Sequence, residues 1–264
     1  MHLANVLNAE ADCTCSHEGK FRYREDSGDQ VLPFLTLENR IAYEYPERQD
    51  DIIASKRSAI NKLELEGSFF GDIAYNNSPF LCALARYFKD ARFIVIFRDG
   101  RSFVRSATVT EGEDDAPVGW PPAGKSLTPL ERYISLGRLQ PRKDSPFHKE
   151  WDDWDAFQKN TWLWAETNRL ILDALEHIDP ARCMLINFET FVQDKLGTYT
   201  KIREFLGFRE TISEKVKSVL LASTINSRKH YHIQPYEQWD ESRRSFFWNL
   251  AGEMMERLGY ETNG

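Results

Sequence analysis

Arg98 and Ser106 are the residues whose types and spacing most directly suggest chemistry. Arg98 follows the most hydrophobic short run of the chain, Phe93 to Phe97, and Ser106 comes eight residues later. An apolar run followed by a turn and a helical pattern predicts a strand whose end lies where open α/β sheets bind anionic ligands. An Arg offers a planar fork of donors, and a hydroxyl on the following helix adds another donor. The spacing therefore predicts a phosphate site, against the simpler interpretation of Arg98 as a solvated charge at a strand end.

This segment, from Phe93 to Ser106, resembles the strand, loop and helix with which sulfotransferases bind the 3′-phosphate of PAPS, the activated sulfate donor. In that family the strand-end Arg and the Ser eight positions later are 3′-phosphate ligands, which implies this role for Arg98 and Ser106. Many members have Pro where this chain has Gly100, and this departure is expected to make the turn less rigid. Further segments resemble the family in the expected order: Gly71 to Pro79, Trp164 to Asn168, Met184 to Glu189, Ile202 to Gly207 and Leu258 to Glu261.

The sequence departs from the family at its beginning. Sulfotransferases normally open with a strand and a loop of the form G-x-x-R-S-G-T-T, whose backbone amides hold the 5′-phosphosulfate. No such segment is found here, and Leu3, Val6 and Leu7 instead predict the helix that follows that loop. We expect that this sequence begins one strand later than the family's sequences do, because of a misplaced start codon or a truncated gene product. Loss of that central strand is expected to leave unpaired edges and an apolar gap in the core.

His17 and Glu18 follow a strand predicted from Asp12 to Ser16. Sulfuryl transfer needs a base for the acceptor proton and cations or amides that stabilise the departing phosphate. Some branches of the family place a Glu at this point, which implies Glu18 as the general base, with His17 as the alternative. A closed cleft can raise the pKa of a carboxyl group toward the working pH. Without the family context, a solvated loop pair is the simpler interpretation of both residues.

A second basic segment, Ser227, Arg228 and Lys229, lies between two helical patterns. In the family a C-terminal loop with basic residues folds over the 3′-phosphate, and the resemblance implies that role for these three residues. The motif is short, so a surface loop with two solvated cations is almost as good an interpretation.

Composition and charge argue against several classes of function. The net charge of −7 argues against general nucleic-acid binding, which needs a basic face, although one cationic nucleotide pocket is compatible with it. No targeting segment or membrane-length apolar run is found, so we expect a cytoplasmic protein without membrane partners. The four cysteines lack the spacing of a zinc site or a disulfide framework, and no metal is expected.

The order of predicted elements indicates one α/β domain over residues 1–264. Strands alternate with helices, which predicts a three-layer α/β/α arrangement around a mainly parallel central sheet, with the first strand and phosphate loop missing. One predicted helix begins with Ser78 as a cap and Pro79 at its first position, and another ends at Gly207. A loop-rich insert at about 110–150 is expected to bind the acceptor or form a lid.

The resemblance implies a sulfotransferase that moves a sulfuryl group from PAPS, leaving PAP, to a hydroxyl or amine of a carbohydrate, peptide or small metabolite. The alternative is a non-catalytic or truncated relative that binds PAP or a protein partner. A small kinase is disfavoured because the sequence has no G-x-x-x-x-G-K-[ST] loop. The acceptor and the oligomeric state do not follow from the sequence.

Overall fold

Helices make up most of the regular structure. The computed structural model describes residues 2–11, 13–17, 21–23, 30–32, 38–64, 69–108, 120, 126, 138–222 and 233–261. Its helices are α1 (His2–Leu7), α2 (Asn39–Glu44), α3 (Gln49–Glu64), α4 (Leu81–Tyr87), α5 (Gly100–Ala107), α6 (Ala156–Leu175), α7 (Phe188–Gln193), α8 (Lys195–Leu206), α9 (Glu214–Leu221) and α10 (Glu241–Arg257). Short 3₁₀ turns at Pro46–Arg48, Tyr75–Phe80, Trp151–Asp153, Pro180–Arg182 and Tyr236–Gln238 connect several of them.

The strands form three pairs. They are β1 (Cys13–His17), β2 (Phe21–Tyr23), β3 (Gln30–Leu32), β4 (Phe69–Ile73), β5 (Phe93–Phe97) and β6 (Cys183–Asn187). β1 pairs in parallel with β4, from Cys13 opposite Phe69 to His17 opposite Ile73. β5 pairs in parallel with β6, whereas β2 and β3 are antiparallel. Helices connect β1 to β4 and β5 to β6, as parallel pairing requires.

The expectation of one central sheet is not met by the described residues. The parallel β1–β4 and β5–β6 pairs are separate, because among the described residues no strand of one pair hydrogen-bonds to a strand of the other. A three-layer arrangement around a single sheet is therefore not confirmed. The parallel direction of both pairs does agree with the predicted alternation of strands and helices.

The two parallel pairs contribute to one apolar cluster. Cys15 of β1 and Ile186 of β6 are buried in it together with side chains of α1, α8 and α9, and Cys13 packs against it. Burial is the main cause that raises the pKa of the Cys13 thiol to about 11 and that of Cys15 to about 12. Both thiols are therefore protonated at neutral pH and act as small apolar side chains.

Two predicted helix boundaries had different outcomes. Gly207 ends α8 in the left-handed conformation with a φ of 86°, as the sequence predicted, because glycine has no Cβ to oppose it. The predicted start at Ser78 and Pro79 is wrong, since both residues lie inside the 3₁₀ turn Tyr75–Phe80. That turn directs Phe80 into the core, where it is fully buried, and α4 begins only at Leu81.

Candidate functional site

The start of α5 fixes the position of Arg98. Arg98 directly follows β5, and the next residue, Asp99, caps α5 by accepting hydrogen bonds from the backbone N–H groups of Arg101 and Ser102 at 2.8 and 3.3 Å. The helix packs closely on its neighbours, because a Cβ at Gly100 would lie 3.0 Å from the Trp164 ring. The chain therefore passes from strand to helix in one tight turn, and Arg98 lies at the carboxyl end of the β5–β6 pair.

The Arg98 guanidinium is anchored at one side and open at the other. Its Nε donates to Ser102 Oγ at 2.8 Å, and Ser102 Oγ donates in turn to the Asp99 carbonyl at 3.0 Å. The guanidinium carbon lies 5.2 Å from the centre of the Phe188 ring. Among the described residues, neither terminal nitrogen of Arg98 has a hydrogen-bond partner or an ion pair. The side chain is half-buried, so a fixed cation offers free donors at a strand end.

Ser106 lies one turn beyond Ser102 on α5. Residues four apart share a face of a helix, so Ser102 and Ser106 follow each other along the face that Arg98 contacts. Ser106 is half-buried. The hydroxyl that contacts Arg98 is that of Ser102, which the sequence reasoning did not single out. Its spacing of four residues from Arg98 was the available signal.

The carboxylates near Arg98 already have other partners. Asp99 accepts two side-chain hydrogen bonds from Arg101 Nε and one from its Nη2, at 2.6 to 3.1 Å. Glu189 Oε1 accepts from the Asp99 backbone N–H at 3.2 Å, and Glu189 Oε2 accepts from Tyr260 Oη at 2.9 Å. Neither acid forms an ion pair with Arg98 in the described part of the chain. The positive charge of Arg98 is therefore not neutralised by its neighbours.

Tyr260 connects the last helix to this strand end. Its hydroxyl donates to Glu189 and accepts from Asn187 Nδ2 at 3.0 Å. Burial, followed by the hydrogen bond and charge of Glu189, raises the pKa of Tyr260 well above its usual range. The phenol is therefore a neutral donor at physiological pH, which keeps the Glu189 carboxylate in place beside Asp99.

The other cations of α5 are bound within the protein. The Arg101 guanidinium is paired with Asp99 and lies 5.1 Å from the centre of the Tyr236 ring. Its hydrogen bond with Asp99 raises the pKa of Arg101 further. Arg105 Nε donates to the Ile233 carbonyl at 3.2 Å. Arg101 and Arg105 thus have partners within the protein, whereas the terminal nitrogens of Arg98 have none among the described residues.

His17 lies at the carboxyl end of β1. Its Nδ1 is 2.9 Å from the Ile73 carbonyl oxygen. A carbonyl oxygen only accepts, so this contact assigns the proton to Nδ1 and leaves Nε2 as the acceptor of the neutral ring. Next to it, the Ser16 hydroxyl and Asn77 Nδ2 both donate to the Asp72 carboxylate. The described residues show no direct contact between His17 and Arg98.

Several predicted site residues lie outside the described residues: Glu18, Ser227, Arg228 and Lys229. Most of the insert at about 110–150 also lies outside them. No group of three or more His, Cys, Asp or Glu side chains suited to a metal ion occurs within the described ranges. The helices in those ranges include none with the length and apolar character needed to cross a bilayer.

Similarity of this chain to known proteins is found at the level of structure. No protein-family model and no curated protein matches the chain. Among solved structures, the chain is similar to the sulfotransferase domain from the curacin biosynthetic pathway, with 13% sequence identity and a TM-score of 0.49. The match covers 88% of this chain and 80% of that one.

Proposed function

We propose that this protein is a sulfotransferase that uses PAPS as donor and transfers the sulfuryl group to a hydroxyl or amine of a carbohydrate, peptide or small metabolite. The observation that carries the proposal is the Arg98 guanidinium, anchored through Nε on Ser102 while its terminal nitrogens have no partner among the described residues. A 3′-phosphate would accept both terminal N–H donors, and charge-assisted bidentate contacts of this kind are among the strongest hydrogen bonds.

Ser106 is proposed as the second ligand of the 3′-phosphate. Its place one turn after Ser102 puts a hydroxyl farther along the same helical face. Ser227, Arg228 and Lys229 are proposed to add cationic donors from the C-terminal loop, on the strength of the sequence resemblance. Together these groups would bind the nucleotide by its ribose phosphate and leave the sulfuryl group free to react.

The proposed reaction is an in-line transfer. The acceptor oxygen or nitrogen attacks the sulfur of PAPS, the bond from sulfur to the phosphate oxygen breaks, and PAP leaves with that electron pair. The acceptor proton passes to a base, for which we propose Glu18. His17 is the alternative, and its proton on Nδ1 supports that role because Nε2 then carries the free lone pair.

Calorimetry with PAP tests the nucleotide site. We expect Arg98→Ala to weaken PAP binding by about 1.5–3 kcal/mol, the usual range for a hydrogen bond to a charged group. Arg86→Ala is the matched control, because it removes the same charge from an exposed ion pair with Asp50. Equal PAP affinity in the wild type and Arg98→Ala would exclude Arg98 from the site and refute the proposal.

Measurements of turnover test which residue is the general base. We expect Glu18→Ala to abolish sulfuryl transfer from PAPS while PAP binding is retained, because a general base acts on the acceptor and does not contact the ribose phosphate. His17→Gln is the parallel variant. Full turnover by Glu18→Ala together with its loss in His17→Gln would assign the base to His17.

A further inference from the structure

A cavity of about 300 Å³ opens on the opposite side of α6 from Arg98. Trp164 of α6 donates from Nε1 to the Arg98 carbonyl at 3.0 Å, whereas Trp162 and Glu166 of the same helix line the cavity. Positions 162 and 166 are each two residues from 164, so they project from the opposite face of the helix. The cavity is therefore separate from the proposed nucleotide site, and its volume is at the lower end of the range for small-molecule pockets.

Three of the nine residues that line the cavity are aromatic: Tyr43, Phe147 and Trp162. Tyr43 and Trp162 are both more than 90% buried, and their rings meet edge to face with centres 6.4 Å apart. Phe147 lines the same space. Flat, rigid walls of this kind favour a flat ligand body.

Arg142 lines the cavity and forms no ion pair within the described part of the chain. Its guanidinium carbon lies 4.4 Å from the centre of the Tyr43 ring, and its Nε is buried without a hydrogen-bond partner. A half-buried guanidinium stacked on an aromatic ring keeps its edge free for an oxyanion.

The other charges of the cavity point to a ligand with one negative charge. Glu166 accepts two hydrogen bonds from Arg169 and one from the Tyr43 hydroxyl, at 2.7 to 2.8 Å. Glu166 therefore has a counterion within the protein, Arg169, which it shares with Asp173. The pKa of Tyr43 is raised by burial and by Glu166, so its phenol stays neutral. Asp144, which also lines the cavity, is exposed and opposes an anion, so a monoanion is favoured over a dianion.

We propose that this cavity binds an aromatic monocarboxylate, with Arg142 bound to the carboxylate and the ring placed against Phe147, beside the edges of Tyr43 and Trp162 that line the cavity. A planar carboxylate matches the two-donor edge of a guanidinium. The inference does not depend on the proposed sulfotransferase function.

Binding of phenylacetate and of its neutral isostere phenylacetamide, measured by calorimetry on the whole chain, tests this site. We expect the acid to bind about tenfold more tightly than the amide, and Arg142→Gln to remove that preference. Lys143→Gln is the matched control, since it removes the same charge from the exposed neighbouring residue. Asp144→Asn should tighten phenylacetate binding several-fold, because it removes the opposing carboxylate.

Three outcomes would overturn the site: equal affinity of the wild type for acid and amide, an unchanged preference in Arg142→Gln, or no binding of either compound. The first comparison uses only the wild type and stays decisive if Arg142→Gln does not fold. PAP binding measured on Arg142→Gln should equal that of the wild type, so failure of this site is distinguishable from failure of the nucleotide site.

Discussion

Arg98 illustrates how a cation becomes available to a ligand within a protein rich in acids. The carboxylates of Asp99 and Glu189 instead accept from Arg101, Tyr260 and the backbone amides of Asp99, Arg101 and Ser102. An Arg that is not matched by an internal acid retains donors that must otherwise be satisfied by water. This difference in partners, rather than charge alone, separates Arg98 from Arg101 and Arg105.

Ser102 gives the first prediction at this scale. Ser102→Ala removes the acceptor of Arg98 Nε, a contact of 2.8 Å, and so loosens the guanidinium. We expect the dissociation constant of PAP to rise about fivefold, the equivalent of about 1 kcal/mol for one hydrogen bond. Calorimetry measures it. Ser55→Ala, in which the lost hydroxyl donates only to the Ile52 carbonyl, should leave the constant unchanged; a similar effect of both variants would count against the role of Ser102.

Sequence reasoning singled out Arg98 and Ser106, but not Ser102, whose hydroxyl contacts Arg98. An apolar run that ends in an Arg is a local pattern, so it can be recognised from the sequence alone. Ser102 contacts Arg98 because Asp99 starts the helix at Gly100, which places Ser102 in the first turn of α5, next to the strand end. The tautomer of His17 could not be predicted from the sequence. The proton on its Nδ1 depends on the Ile73 carbonyl, which is 56 residues away in β4, and no local sequence pattern reveals that contact.

At the scale of elements, the capped start of α5 holds the strand-end turn together. Asp99→Ala removes two hydrogen bonds to backbone amides and the partner of Arg101. We expect a loss of about 1–2 kcal/mol in the free energy of unfolding, as for other N-cap residues. Urea denaturation followed by circular dichroism measures it. Glu253→Ala, at an exposed position of α10, is the control, and indistinguishable midpoints for the two variants would contradict the capping role.

Elements with local signals were predicted better than their assembly. The end of α8 at Gly207 and the run of β5 are each set by a few neighbouring residues. The 3₁₀ turn at Tyr75–Phe80 was missed because burial of Phe80 overrides the local preference of Ser78 and Pro79 for a helix start. The pairing of β1 with β4 and of β5 with β6 depends on contacts distant in sequence, and the single sheet expected from the pattern was not found in the described residues.

At the scale of the whole molecule, a buried ionic contact connects the start of the chain to α8. Arg203 of α8 forms an ion pair with Glu10, which follows α1, and both side chains are less than 10% exposed. Tyr199 donates to the same carboxylate at 2.8 Å. Packing of α1 against α8 and α9 therefore depends on Glu10 as well as on apolar contacts.

Glu10→Gln tests that dependence. It keeps the shape but leaves the buried Arg203 charge without a counterion, so we expect a loss of about 3 kcal/mol in the free energy of unfolding. Asp50→Asn breaks the exposed pair with Arg86 and should cost less than about 1 kcal/mol. Equal losses in urea denaturation would show that the buried pair contributes no more than a surface pair.

The most direct test of the central claim compares PAP with adenosine 5′-monophosphate, which lacks the 3′-phosphate, on the wild type and Arg98→Ala by calorimetry. If Arg98 binds that phosphate, the wild type prefers PAP by about tenfold or more, and Arg98→Ala loses the preference without losing affinity for the monophosphate. A preference for PAP of the same size in both proteins, or none in the wild type, would contradict the assignment of Arg98 to a 3′-phosphate site.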